Sequence, residues 1–188
     1  ISSGAISAGF EVIGIDKNQR VVESLNSGKS HIEGISDEKV ASALSQGKFK
    51  ASADFSDITD SKVVVVAVPT PLNRAGEPDL ALLMSAIESI APFLGEDSLV
   101  INESTSYIGT LRNVIAPQIT SLNSKVKHFA VSPERVDPGN KSFDVKNTPR
   151  LVGGLTEEAS NRAVAFYSSF SDCVVKVSSP EVAEAAKL

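Results

Sequence analysis

Four short stretches of this 188-residue chain place hydrogen-bonding and acid–base side chains directly after apolar runs. The strongest is Ser132-Pro133-Glu134-Arg135-Val136-Asp137-Pro138-Gly139-Asn140, where Glu134 and Arg135 stand together among turn formers. An arginine fork suits phosphate or carboxylate, and the neighbouring glutamate can orient a water or hold a sugar hydroxyl. The plain alternative is a solvated ion pair. Glu103-Ser104-Thr105 offers a carboxylate and two hydroxyls, fit for positioning, for proton relay through a water, or simply for capping the next helix. In Val68-Pro69-Thr70-Pro71 the prolines fix the backbone and Thr70 can offer a hydroxyl to a ribose or phosphate oxygen. A rigid strand terminator is the other reading. Asp16 closes Val12-Ile-Gly-Ile-Asp16. A carboxylate there can accept ribose hydroxyls and repels a 2′-phosphate, favouring NAD over NADP, or it caps the following helix.

Three further residue types need placing. Lys187, in Glu181-Val-Ala-Glu-Ala-Ala-Lys187-Leu188, is three residues from Glu184. It reads either as half of a helix surface pair or as a lysine that stabilises an oxyanion. Cys173 is the sole cysteine and has no nearby histidine to activate it; it reads as a small buried strand thiol. His31 and His128 match no metal-ligand spacing, so no metal is assigned.

The elements that must position these residues follow from the apolar pattern. Strands are expected at 10–16, 49–53, 63–68, 98–101, 129–132, 151–152 and 174–177. Helices are expected at 18–26, 36–47, 79–93, 108–122, 156–170 and from Pro180 onward, with Pro117 weakening the second half of its helix. Val63-Val-Val-Val-Ala-Val68 has no polar alternation, which predicts a strand buried on both faces. The alternation predicts an α/β fold: a Rossmann-like, doubly wound, mainly parallel sheet with helices on both faces. In such a sheet ligands sit beyond the carboxyl ends of the strands, where Asp16, Thr70, Thr105 and Glu134 all fall.

Composition narrows the function classes. With 41% hydrophobic and 22% charged residues, the chain has a globular balance. The net charge of -5 without a basic cluster argues against a nucleic-acid partner. The longest apolar run is too short for a bilayer, so no membrane partner is expected. A single cysteine excludes an internal disulfide framework and suits a reducing cytoplasm.

The ribose acid of a dinucleotide fold lies about 20 residues after its Gly-rich phosphate loop, and counting back from Asp16 runs off the front of the chain. Gly4 and Gly9 do not fit that loop and read as a helix position and a helix C-terminal cap. The expectation is therefore a fragment: residues 1–178 a nucleotide-binding domain lacking its first strand and phosphate loop, residues 179–188 the start of a helix toward a further domain. That first strand would be central in the sheet. The isolated fragment is expected to bind NAD weakly and to turn over no substrate.

Taken in order, Gly-Ile-Asp16, Val-Pro-Thr-Pro71, Glu-Ser-Thr105, Ser-Pro-Glu-Arg-Val-Asp-Pro-Gly139 and Glu-Val-Ala-Glu-Ala-Ala-Lys-Leu188 resemble the UDP-glucose/GDP-mannose dehydrogenase family, over nearly the whole chain. The Ser-Pro-Glu-Arg-Val stretch is most similar to the branch acting on UDP-N-acetylglucosamine, with the mannosamine enzymes next. The resemblance implies oxidation of the sugar C6 alcohol to a carboxylate in two steps, with two NAD and a cysteine thiohemiacetal, in polysaccharide biosynthesis. It implies a UDP-sugar substrate and a homo-oligomeric full-length protein. Carried over by position, Asp16 and Arg20 serve the adenosine ribose, and Thr70 and Thr105 contact NAD. Thr105 and Glu134 hold a catalytic water; Glu134, Arg135, Val136 and Lys187 line the nucleotide-sugar site; and Lys187 stabilises the oxyanion. The family's usual basic residue after the ribose acid aligns with Val21, and Arg20 beside it substitutes. The family's nucleophilic cysteine belongs to a later domain, and Cys173 is in the wrong place for that role. Two rival readings are a nucleotide-binding module without dehydrogenase activity and a hydroxyacid-type dehydrogenase.

Overall fold

The computed structural model describes residues 1–32, 34–74, 76–135 and 146–187. In chain order the elements are α1 (Ser2–Ser7), β1 (Val12–Ile15), α2 (Gln19–Asn26), α3 (Asp37–Ser45), β2 (Phe49–Ser52), β3 (Val63–Val66), α4 (Ala81–Ile90), β4 (Leu99–Asn102), α5 (Ala116–Leu122), β5 (His128–Val131), β6 (Arg150–Gly154), α6 (Glu157–Ser168), β7 (Val174–Lys176) and α7 (Pro180–Ala185). Strands β3-β4-β5-β6-β7 form one five-stranded sheet, and β1-β2 a separate parallel pair. Within the larger sheet β3, β4 and β5 run parallel, β6 is antiparallel to β5, and β7 is parallel to β6. The expected doubly wound, mainly parallel architecture is what the chain adopts.

Strand β4 shows why the sheet needs helices on both sides. Val100 packs into a layer with Leu83 and Ile87 of α4, Ile119 of α5 and Ala183 of α7. Its neighbours Leu99 and Ile101 point the other way, onto Ala159, Ala163 and Tyr167 of α6. All three are fully buried, so period-two alternation along an all-apolar strand feeds two cores at once.

Local chemistry sets the helix starts. Asn18 caps α2 by accepting the Arg20 N–H at 3.1 Å, so Asp16 is not the cap. Thr156 caps α6 by accepting the Ala159 N–H at 3.1 Å. The stretch ahead of α5 departs from expectation. Leu111–Ile115 forms a π-helical turn, and regular α-helix begins only at Ala116. Proline has no N–H to give to the preceding turn, so Pro117 widens the half before it and not the half after.

The valine run also departs from expectation. Val66 is buried, but Val63, Val64 and Val65 are only partly covered. Their strand, β3, pairs with β4 on one side; its other side faces β1 across a cavity of about 1080 Å³. Residues Val12–Ile15 and Val63–Val66 line that slot, with Ile58, Ile90 and Phe166 around it. Across the mouth, the Lys17 ammonium donates to Ser85 Oγ of α4 at 2.7 Å. Among the described residues no strand bonds to the slot-facing edges of β1 and β3, and no helix is long and apolar enough to cross a membrane.

Candidate active site

The loops after β3, β4 and β5 are stitched together by side chains. Ser104 Oγ accepts the Val68 N–H at 2.9 Å and donates to the Val68 carbonyl at 2.8 Å, clamping the end of β3. Asn102 holds the Ser104 turn from both sides, through its amide at 3.1 Å and its carbonyl at 3.2 Å. Thr70 Oγ1 donates to the Thr105 carbonyl at 2.5 Å. The Glu134 N–H reaches the Glu103 carbonyl at 3.3 Å. Thr70, Thr105 and Glu134 therefore stand on one edge of the sheet. Asp16 lies at the mouth of the slot, which Val68 and Pro69 also line.

Glu103 is neither a loop cap nor solvated: its side chain is 3% exposed. One of its oxygens accepts from Arg150 Nη1 at 2.8 Å and from the Tyr167 hydroxyl at 2.6 Å. The guanidinium of Arg150 lies over the Tyr167 ring, 4.4 Å from its centroid. Arg150 Nη2 donates to Glu134 Oε2 at 2.9 Å. Burial pushes the Glu103 carboxyl above its usual range, against the pull of the Arg150 charge and the Tyr167 hydrogen bond. Burial likewise raises the Tyr167 phenol well above its ordinary value, and the Glu103 charge adds to this. The phenol stays a donor at neutral pH.

Helix α7 is fastened to the same edge. Glu184 is 1% exposed and accepts the Gly109 N–H at 2.6 Å and the Leu111 N–H at 2.9 Å. It caps the helix that follows the Glu103–Thr105 loop, which excludes the reading of Glu184 and Lys187 as a surface pair. Arg135 Nη1 donates to the Ala186 carbonyl at 3.2 Å, at the far end of α7. Arg112 and Glu181 pair on the outside at 2.7 Å. Close packing beneath α7 rests on Gly153: a Cβ there would lie 2.6 Å from the Ser179 carbonyl oxygen.

The remaining expected residues fall as follows. Asp16 is half-buried and accepts the Asn18 N–H at 2.7 Å. Arg20 is exposed in the first turn of α2, and Lys187 is exposed just past α7. Val136 lies outside the described residues. Cys173 is half-buried ahead of β7, where its carbonyl accepts the Arg150 N–H at 2.8 Å. Among the described residues no group of histidine, cysteine and acidic side chains could hold a metal. Arg150 and Tyr167 lie outside the motifs, and Glu184 entered only as a surface partner for Lys187. Arg150 gives one local signal, a charge at the head of the apolar run Leu151-Val152. Tyr167 and Glu184 sit in helical patterns that look ordinary without their neighbours.

Loops gathered beyond the carboxyl ends of parallel strands, with a carboxylate after β1 and the Thr70 and Thr105 hydroxyls after β3 and β4, define a nucleotide-binding α/β domain. The acceptor-only Asp16 carboxylate suits the two hydroxyl donors of a ribose, so these residues fit a dinucleotide. Comparison with known proteins makes this specific. Residues 2–171 match the model of the UDP-glucose/GDP-mannose dehydrogenase family, NAD binding domain. The chain belongs to this family. A UDP-N-acetyl-D-mannosamine dehydrogenase of Pyrococcus horikoshii is 34% identical over 186 residues, covering 97% of this chain and 44% of that protein. One from Escherichia coli is 34% identical over 190 residues, 95% of this chain and 44% of that protein. A solved structure of the UDP-D-ManNAc dehydrogenase from Pyrococcus horikoshii superposes with a TM-score of 0.91 at 32% identity, covering 99% of this chain and 45% of that one. The chain thus spans less than half the length of these relatives.

Proposed function

We propose that the protein containing this domain oxidises the C6 alcohol of a UDP-N-acetylhexosamine to the carboxylate, with the mannosamine epimer first in line. The observation that supports this most directly is the joining of three loops and α7 at one sheet edge, which puts Thr105, Glu134, Arg135 and Lys187 on connected backbone. The names of the relatives supply the sugar.

In this reading Asp16 accepts the adenosine ribose hydroxyls, helped by Arg20, and Thr70 and Thr105 contact the nicotinamide side. When bound, NAD supplies the hydride acceptor for each of the two oxidations. Lys187 stabilises the oxyanion that develops at C6. Glu134 and Thr105 hold the water that becomes the second carboxylate oxygen. Arg135 and Val136 line the nucleotide-sugar site, and the nucleophilic cysteine comes from another domain. The slot supports a sheet completed by one more parallel strand, pairing with both β1 and β3 and running into a phosphate-binding turn.

The test is NADH production by the full-length protein, followed by its absorbance with UDP-N-acetylmannosamine, UDP-N-acetylglucosamine and UDP-glucose. Turnover of an N-acetylhexosamine with two NADH per sugar is the expected result. Binding of NAD and UDP-sugar without turnover would identify a nucleotide-binding module instead, and turnover only of small hydroxyacids a different dehydrogenase.

A further inference from the structure

Glu134 is held at several points. Its Oε2 accepts from Arg150 Nη2 at 2.9 Å, its Oε1 accepts the Arg135 N–H at 2.7 Å, and its own N–H reaches the Glu103 carbonyl at 3.3 Å. Arg150 cannot meet a ligand itself, because its side chain is 4% exposed. It has one nitrogen on Glu134 and another on Glu103 and Ser132. The Tyr167 ring underlies the guanidinium plane, and the Tyr167 hydroxyl fixes the same Glu103 oxygen that Arg150 uses. These partners come from α6, from the end of β4 and from the loop after β5. Together they leave the guanidinium little freedom.

We propose that Arg150, oriented by Glu103 and Tyr167, is a positioning residue that sets the Glu134 carboxylate at the rim of the active site. This rests on the reading of Glu134 as the group that holds the catalytic water. The planar fork is the reason an arginine stands here. It donates to two carboxylates from one rigid group, whereas a lysine ammonium is a point charge on a flexible stem and cannot keep both oxygens in register. A misplacement of about 1 Å at a water-holding carboxylate is enough to slow a reaction about a hundredfold.

The test uses the full-length protein with Arg150→Lys, Glu134→Gln and the double variant. Arg150→Lys keeps the buried charge and so should fold, which a cooperative melt verifies. Turnover should fall about ten- to a hundredfold, the range of one charged hydrogen bond, with KM for NAD little changed. In the Glu134→Gln background the same substitution should change turnover by less than about threefold, because the group it positions is already altered. Equal losses in the two backgrounds would overturn the proposal and leave Arg150 as structural support. A second readout is independent of activity: the carboxyl carbon of Glu134, followed by NMR through a pH titration, should change its midpoint in Arg150→Lys. An unchanged midpoint would also overturn the proposal. A changed midpoint with full turnover in Glu134→Gln would support the Arg150–Glu134 pairing and remove the reading of Glu134 on which the positioning role rests.

Discussion

Glu103 and Asp16 both close an apolar strand, yet they live in opposite worlds. Glu103, after β4, is buried against Arg150 and Tyr167. Asp16, after β1, sits half-buried at the mouth of the slot and holds one backbone N–H. The difference is the neighbour. Strand β4 is flanked by β3 and β5, so whatever follows it is drawn into protein and must find charge partners there. Strand β1 is flanked by β2 and a cavity, so its terminal carboxylate keeps lone pairs available for a ligand. An acidic residue at a strand end is thus left half-open beside the slot after β1 and built into a buried ion-pair network after β4.

The buried side should respond most to loss of its cation. Arg150→Met should destabilise the protein by about 3–5 kcal/mol, since Glu103 is left buried without a counter-charge. Denaturant unfolding measures it, and a loss under about 1 kcal/mol, the size of an exposed pair, would mean that Glu103 is no more dependent on its partners than a solvated carboxylate. Next is Glu184→Ala, which strips two backbone donors of a buried acceptor. It should cost about 2–3 kcal/mol and loosen α7, seen as faster amide exchange at Gly109 and Leu111.

On the open side the expected effect is on binding. Asp16→Ala should weaken NAD by about 1–3 kcal/mol in the full-length protein while leaving UDP-sugar affinity unchanged. Calorimetric titration with each ligand checks it, and equal weakening would remove Asp16 from the ribose site.

The smallest effect is at the outer pair. The Arg112 guanidinium holds the Glu181 carboxyl down to about 2, from an ordinary 4.5. A depressed carboxyl stabilises the fold above pH 4.5 and loses that contribution as the pH falls toward 2. Because the Arg112 side chain is 50% exposed, Glu181→Gln should cost less than about 1 kcal/mol at pH 7. Its stability curve should meet the wild-type curve near pH 2. A gap that widened as pH fell would show the sign to be wrong.

The order and type of the elements, and the places where chemistry could sit, are written in the local pattern of residues. Apolar periodicity is local, so the strands, the α/β class and the carboxyl-end positions of Asp16, Thr70, Thr105 and Glu134 could be read directly from it. Helix starts were legible for the same reason: the helix expected from residue 156 begins on the Thr156 cap. Which carboxylate is buried, and with what, is set by contacts between distant parts of the chain. Glu103 meets Arg150 across 47 residues and Tyr167 across 64, and Glu184 meets Gly109 across 75. Such contacts depend on how the strands are ordered in the sheet and how the helices lie on it, which no local pattern encodes. The partial exposure of Val63, Val64 and Val65 has the same origin: an all-valine strand is fit to be covered on both faces, and its neighbours decide whether it is.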